Sequence, residues 1–212
     1  MITLTVEALL VVLLVVVLMN LFKKKRPAAP AFPPPDLGNL KPADARSGDV
    51  ISISGAGDEF SDLDFTADRS MQYQAGTRGW FEVSGPYRER RVSMRVSSDS
   101  DGEAQVYVHT DPRKLTIEDF GLAEKDLGDM DERQNTSDWF EFDNRGWLYR
   151  LSREAQATGG PGGPAAFYYW EFQERDGKGL LAVRKAEGEP FAVTLYAGVP
   201  AGNVTVYRGA GG

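Results

Sequence analysis

The amino-acid sequence predicts a mainly β protein of antiparallel sheets, with one or two short helices and an N-terminal transmembrane helix. Three observations support this prediction. Short runs of alternating apolar and polar residues recur from residue 48 onward, polar turns separate these runs, and a wholly apolar segment precedes them. Alternation with a period of two is typical of strands with one buried face, and roughly ten such strands at close spacing indicate antiparallel sheets.

Residues 1–26 are predicted to form a membrane anchor with a basic flank. Residues 2–22 are apolar enough, and at about 1.5 Å per residue long enough, to cross a bilayer as a helix. The cations that follow are Lys23, Lys24, Lys25 and Arg26. A cleaved signal peptide, the alternative, carries its cations in front of the apolar run. By the positive-inside rule we expect a single-pass protein of the inner membrane, with its N-terminus outside and its globular domain in the cytoplasm.

The rest of the chain divides into a linker and a domain. Residues 27–47 contain six prolines, which predicts an extended spacer. Residues 48–208 are predicted to form the β-rich globular domain. Residues 48–212 carry a net charge of −10, which argues against nucleic acid as a partner. The chain has no cysteine, so disulfides and thiolate metal sites are excluded.

Strand pairs follow one another along the predicted domain. Residues 92–96 and 104–108 alternate cleanly and flank a polar turn that contains Asp101 and Gly102. Further predicted strands are 139–142, 147–152, 167–173, 180–185, 191–196 and 204–207. Residues 116–127 supply the helical turns, and we expect loops at 129–138 and 155–164.

The predicted domain has two similar halves, 48–130 and 138–208, which we expect to form one compact unit. The matching residues are Trp80 with Trp170, Arg95 with Arg184, and Tyr107 with Tyr196, each pair 89 or 90 residues apart. A duplication predicts two small sheets related by a pseudo-twofold axis. Chance similarity among hairpins is the alternative interpretation.

Several segments resemble one known family. The opening strand at 48–50 and the sequences at 78–82, 146–151, 168–172, 180–183 and 189–191 carry the resemblance. They are similar to the bacterial family of domains of unknown function numbered 4178, over about residues 48–208. Family members often have a membrane segment in front and are associated with membrane-stress and polyamine-synthase-like neighbours. The resemblance implies no catalytic residues.

Candidate functional residues lie among the aromatic and acidic side chains. Tyr169 and Glu171 share one face of their predicted strand, and aromatic side chains also occupy its other face. Either the strand is covered on both sides, or one aromatic face is exposed for recognition. Together with Glu82, these residues are our candidate ligand or partner face. His109 is the single histidine, and no set of residues has the spacing of a catalytic or metal site.

We therefore expect a membrane-anchored, non-catalytic binding or scaffolding domain in a bacterial membrane-associated assembly, with a protein partner and no cofactor. The alternative is a small-ligand sensor or enzyme subunit. Its acidic aromatic pocket, approached by Glu82 or Glu171, would suit a cation such as a polyamine.

Overall fold

The computed structural model describes residues 40–99, 101–160 and 162–209, which form twelve strands and one α-helix. The first six strands are β1 (Val50–Ile53), β2 (Leu63–Thr66), β3 (Arg69–Ala75), β4 (Arg78–Tyr87), β5 (Arg90–Ser98) and β6 (Ala104–His109). The last six are β7 (Trp139–Phe142), β8 (Arg145–Thr158), β9 (Ala165–Glu174), β10 (Leu180–Lys185), β11 (Ala192–Val199) and β12 (Val204–Tyr207). Helix α1 spans Glu124–Arg133. The prediction of a mainly β, antiparallel protein is confirmed.

Eight strands close into a barrel. Their order is β3-β4-β5-β6-β11-β10-β9-β8, and β8 pairs with β3 to complete the circle. The strands β3 to β6 form one meander and β8 to β11 form a second. The first strands of the two meanders pair with each other, and so do the last. Both meanders therefore belong to one closed sheet, where we expected two small sheets, and the duplication itself stays a prediction.

Apolar cores lie on the outside of the barrel as well as inside it. A separate three-stranded sheet, β12-β1-β2, packs on the first meander through residues such as Ile51, Phe65 and Met94. Helix α1, the turn before it and β7 contribute to the core against the second meander, around Leu127 and Phe172. Each meander therefore has one face toward the barrel interior, and its other face is covered by a further layer of the protein.

Helix α1 is attached to the second meander by a polar contact. Asp131 Oδ1 accepts hydrogen bonds from the Ser152 hydroxyl, from Tyr168 Oη at 2.7 Å and from Gln134 Nε2 at 3.0 Å. Burial, with the hydrogen bond to Asp131 as the second cause, raises the pKa of Tyr168 to about 12. One carboxylate thus joins the helix to two neighbouring strands.

The three-stranded sheet approaches the barrel closely at a glycine. A Cβ placed on Gly85 of β4 would lie 2.0 Å from the carbonyl oxygen of Thr66 at the end of β2. A side chain at this position would clash with the backbone. Glycine therefore permits the contact between the two sheets.

Three segments differ from our expectations. Residues 40–47, predicted to end the spacer, pack on the sheets: Leu40 bridges to Val206 of β12, and Pro42 and Ala45 are buried. The expected loop at 129–138 begins with five residues of helix α1, because Leu127 and Met130 face the core from one side of that helix. Residues 155–158, expected in a loop, continue β8 with Ala155 and Ala157 facing inward.

The predicted anchor at residues 1–26 and most of the linker lie outside the described residues. No helix in the described part of the chain is both long enough and apolar enough to span a membrane.

Candidate functional site

Two ion pairs cross the interior of the barrel. Arg95 of β5 lies with Nη2 2.8 Å from Oε2 of Glu171 on β9, and Arg184 of β10 pairs in the same way with Glu82 of β4. In each case the two strands are four places apart in either direction around the barrel. Each pair therefore spans the full width of the barrel and joins one meander to the other.

The Arg95–Glu171 pair is extended by two further side chains. Tyr169 Oη accepts a hydrogen bond from Arg95 Nη1 at 2.6 Å and donates to Glu171 Oε2 at 2.8 Å. Arg78 donates from Nη1 to Glu171 Oε1 at 3.2 Å. Both carboxylate oxygens are thus occupied, one by a buried arginine and the other by an arginine whose side chain is 60% exposed.

The Arg184–Glu82 pair has a matching set of partners. Glu82 Oε1 accepts hydrogen bonds from Tyr196 Oη at 3.0 Å and from Trp80 Nε1 at 3.2 Å. Arg184 also donates from Nη1 to Tyr73 Oη at 3.2 Å. The three side chains that donate to Glu82, those of Arg184, Tyr196 and Trp80, all bond to its Oε1 atom.

Aromatic rings fill the space between the two groups. The Trp80 ring stacks on Tyr73 with 5.2 Å between centroids and lies 4.9 Å from Tyr169, while Arg95 sits over it at 4.3 Å. These distances are typical of aromatic stacking and of cation–π contacts. Burial raises the pKa of Tyr169 well above its ordinary value, and burial together with the Glu82 charge does the same for Tyr196. Both phenols stay protonated and serve as donors.

Filling a barrel with buried charged groups costs more free energy than filling it with apolar side chains. Removing charges from water costs several kcal/mol per ion, and a buried ion pair recovers this only when its hydrogen bonds are complete. An apolar filling of similar volume is often as stable or more stable. The polar interior is therefore a reason to look for a function at the barrel ends.

A cavity of about 620 Å³ opens at the end of the barrel where β9 turns into β10. Its lining is rich in hydrogen-bonding groups: Thr77, Arg78, Arg95, Ser97, Ser98, Asp99, Gln105, Tyr107 and Glu171, with Gly79, Trp80 and Leu180. Nε of Arg95 is buried and has no hydrogen-bond partner among the described residues. The cavity thus combines an exposed arginine, Arg78, with a buried one, Arg95.

The predicted candidate face proves to be interior. Glu82 and Glu171 are each 8% exposed and Tyr169 is fully buried, so these side chains do not form an outer surface. The structure brings all three into the barrel, and only Glu171 among them lines the cavity. The strand at 167–173 is covered on both sides, so it does not present one exposed aromatic face for recognition. The basic flank Lys23 to Arg26 lies outside the described residues.

The partners of these acids were not predicted. Arg95 and Arg184 served only as markers of the repeat, and Arg78 was not singled out. The signal was present, because Glu82 and Glu171 are also 89 residues apart, as are Trp80 and Tyr169. Four interior residues of the first meander thus have a counterpart 89 residues later: Trp80 with Tyr169, Glu82 with Glu171, Arg95 with Arg184, and Tyr107 with Tyr196.

His109 faces the barrel interior at its rim, with Nδ1 2.9 Å from the Leu195 carbonyl oxygen. No cluster of three or more His, Asp or Glu residues in the described ranges is placed to hold a metal ion. Among the described residues, the hydrogen-bond partner of His109 is this backbone oxygen.

Comparisons with known proteins found no matching family model, no matching curated protein and no matching solved structure. The resemblance to the family numbered 4178 stays a prediction.

Proposed function

We propose that this chain is a membrane-anchored, non-catalytic binding protein whose barrel takes a small polar ligand with an anionic group. The observation that carries the proposal is the cavity beside Arg78, Arg95 and Glu171. Arg95 is held in place by hydrogen bonds to Tyr169 and Glu171 and lines the cavity. Arg78 reaches the same carboxylate from the rim with most of its side chain in water.

The lining carries two arginines and two carboxylates, so the preference for an anion over a cation rests on the hydrogen-bond partners in the cavity and not on its net charge. A polyamine would have to compete with two arginines for Glu171, because both carboxylate oxygens already accept from them. An anion instead needs only Arg78 to turn from Glu171 toward the ligand, a small cost for an exposed side chain. Planar, bidentate recognition of carboxylate or phosphate is the chemistry that arginine favours. The proposal therefore replaces the cation that the alternative interpretation of the sequence suggested.

The proposed location rests on the sequence. The apolar segment and its basic flank at residues 1–26 favour a single-pass anchor in the inner membrane with the barrel in the cytoplasm. Tethering keeps the binding module near a membrane-associated assembly and raises its effective concentration there.

A test uses the full-length protein in lipid nanodiscs and measures the thermal unfolding midpoint with citrate, inorganic phosphate or spermidine at matched ionic strength. We expect citrate or phosphate to raise the midpoint, Arg78→Ala to abolish the shift, and Arg91→Ala to preserve it. Arg91 is the matched control because it is also a partly exposed arginine, paired with Asp68 away from the cavity. Stabilisation by spermidine alone would restore the cation hypothesis, and no shift with any probe would refute ligand binding here.

Scaffolding of a protein partner is the second candidate function, and one observation favours it. The β7 strand pairs with β8 and has no other strand beside it among the described residues, and its Trp139 is 49% exposed. An unpaired edge with an exposed aromatic residue suits an added strand from a partner. Co-purification from gently solubilised membranes, compared between the wild-type protein and Trp139→Ser, tests it: a partner retained equally by both would contradict docking at β7.

A further inference from the structure

The free edge of β7 carries unpaired backbone groups. The Tyr149 N–H donates to the Asp138 carbonyl oxygen at 2.9 Å, just beyond the paired residues of β7 and β8. Opposite residues of an antiparallel ladder alternate between pairs that exchange such bonds and pairs that do not. The N–H and C=O groups of Trp139 and Glu141 therefore point away from β8, and within the described part of the chain no other strand accepts or donates to them.

Trp139 and Glu141 also share the exposed face of β7, because side chains two residues apart in a strand point the same way. Trp139 is 49% exposed, and Glu141 is exposed as well. The rings of Phe140 and Phe142 instead contact Phe120 on the covered face of the strand. The free edge thus presents one aromatic and one acidic side chain on the same side.

A cation lies over the aromatic side chain. The guanidinium of Arg175 is 4.0 Å from the centroid of the Trp139 ring, a distance typical of a cation–π contact. Arg175 is exposed, and neither Arg175 nor Glu141 forms an ion pair with another described residue. The edge therefore carries a positive charge at Trp139 and a negative charge two residues further on.

This order of charges makes the edge complementary to itself. When two copies pair antiparallel around a twofold axis through Phe140, Trp139 of each copy lies opposite Glu141 of the other, and their backbone groups bond. Each Glu141 carboxylate then approaches the Arg175 that stacks on the other copy's Trp139. The neighbouring registers set Glu141 opposite Glu141, or Trp139 with its arginine opposite its own copy, and so bring like charges together.

We propose that the free edge of β7 pairs with the same edge of a second copy of this chain in this twofold register. The inference rests on the docking at β7 given above as the second candidate function, and it names the occupant. Single exposed ion pairs contribute little in water. Here two of them accompany backbone hydrogen bonds, and the predicted anchor would raise the local concentration of copies at the membrane.

Sedimentation equilibrium of the full-length protein in density-matched detergent measures the self-association. We expect the wild-type protein to dimerise, and Glu141→Arg or Arg175→Glu to weaken the dimer at least about tenfold, because each replaces two attractions by two repulsions. Glu187→Arg should leave the dimer unchanged. It is the matched control for Glu141→Arg because Glu187 is an exposed acid in the turn between β10 and β11. A monomer at every concentration, or a dimer that both reversals leave intact, would overturn the proposal.

Mixing the two charge-reversed variants tests whether the contact joins two copies. In a mixed pair every reversed residue faces an opposite charge, so Glu141→Arg with Arg175→Glu should associate as tightly as the wild-type protein. Mixing cannot restore a contact within one chain, so a failure to recover would refute the twofold register. A monomer that still captures another protein through Trp139 in the co-purification would refute the second copy and leave docking at β7 standing.

Discussion

Arg95 and Glu171 pair across the whole width of the barrel, with 2.8 Å between Nη2 and Oε2, and so connect the first meander to the second. The pair of Arg184 with Glu82 makes the matching connection in the opposite sense. The two halves are therefore held together through their centre as well as along their edges.

Glu171→Leu should destabilise the protein strongly, because it leaves the buried guanidinium of Arg95 without its carboxylate. Loss of one partner of a buried ion pair costs about 3–5 kcal/mol of unfolding free energy. The double variant Arg95→Met with Glu171→Leu should recover most of that loss, since no buried charge remains. Urea unfolding followed by tryptophan fluorescence measures both. A double variant as unstable as the single one would show that the interior requires the charges themselves.

Gly85→Ala should weaken the contact between the three-stranded sheet and the barrel. The added methyl group would collide with the Thr66 carbonyl oxygen, and overpacking of this kind costs about 1–3 kcal/mol. Gly128→Ala is the control, because Gly128 lies in helix α1 with open space around it and alanine is the better helix former. We expect it to stabilise by up to about 1 kcal/mol. Similar effects from the two substitutions would contradict the packing described at Gly85.

Asp131→Ala should loosen helix α1 from the barrel. The substitution removes the acceptor for the hydroxyls of Ser152 and Tyr168, and each unpaired buried group costs about 1–3 kcal/mol. The pKa of Tyr168 should also fall from about 12, because the Asp131 hydrogen bond and charge help to raise it. Absorbance at the phenolate band against pH measures the second effect. Asp129→Ala, which removes an exposed pair with Lys125 on the same helix, should change neither quantity.

Stability should decline on the alkaline side. Burial raises the pKa of Tyr169 and Tyr196 in the folded protein above the value that they have when unfolded. Their contribution is fully present below about pH 10, the ordinary tyrosine pKa, and is lost as the pH rises above it, because the unfolded chain then releases protons that the folded chain retains. Urea midpoints measured upward from pH 9 give the slope. Tyr196→Phe should flatten it, and an unchanged slope would show that Tyr196 ionises freely.

The hairpins were predictable from the sequence because their strands are close in the chain and alternate clearly. The sequence did not show which face of each strand points into the barrel. Val92, Met94 and Val96 face away from the barrel interior, beneath the three-stranded sheet, and Arg95 between them faces into the barrel. Alternation shows that the two faces of a strand differ in polarity. It does not show which of the two faces lies inside a closed barrel.

The closure of the barrel could not be predicted from the sequence either. It depends on the pairing of β3 with β8 and of β6 with β11, each far apart in sequence and without a turn to mark it. The candidate acids Glu82 and Glu171 belong to the network that the structure reveals, yet their arginine partners come from opposite strands. Only the closed sheet brings those strands face to face. The repeated spacing marked Arg95 and Arg184, and the closed barrel shows that they pair with Glu171 and Glu82.

The two lines along which the meanders meet are much shorter than the hairpins within them. Each line has three paired residues on either side, whereas β4 and β5 share eight pairs and β8 and β9 share ten. Backbone amides along these seams should therefore exchange with solvent deuterium sooner than those inside a meander. Local opening of the barrel should therefore separate the two meanders along these seams. The two arginine–glutamate pairs that cross the interior oppose this separation.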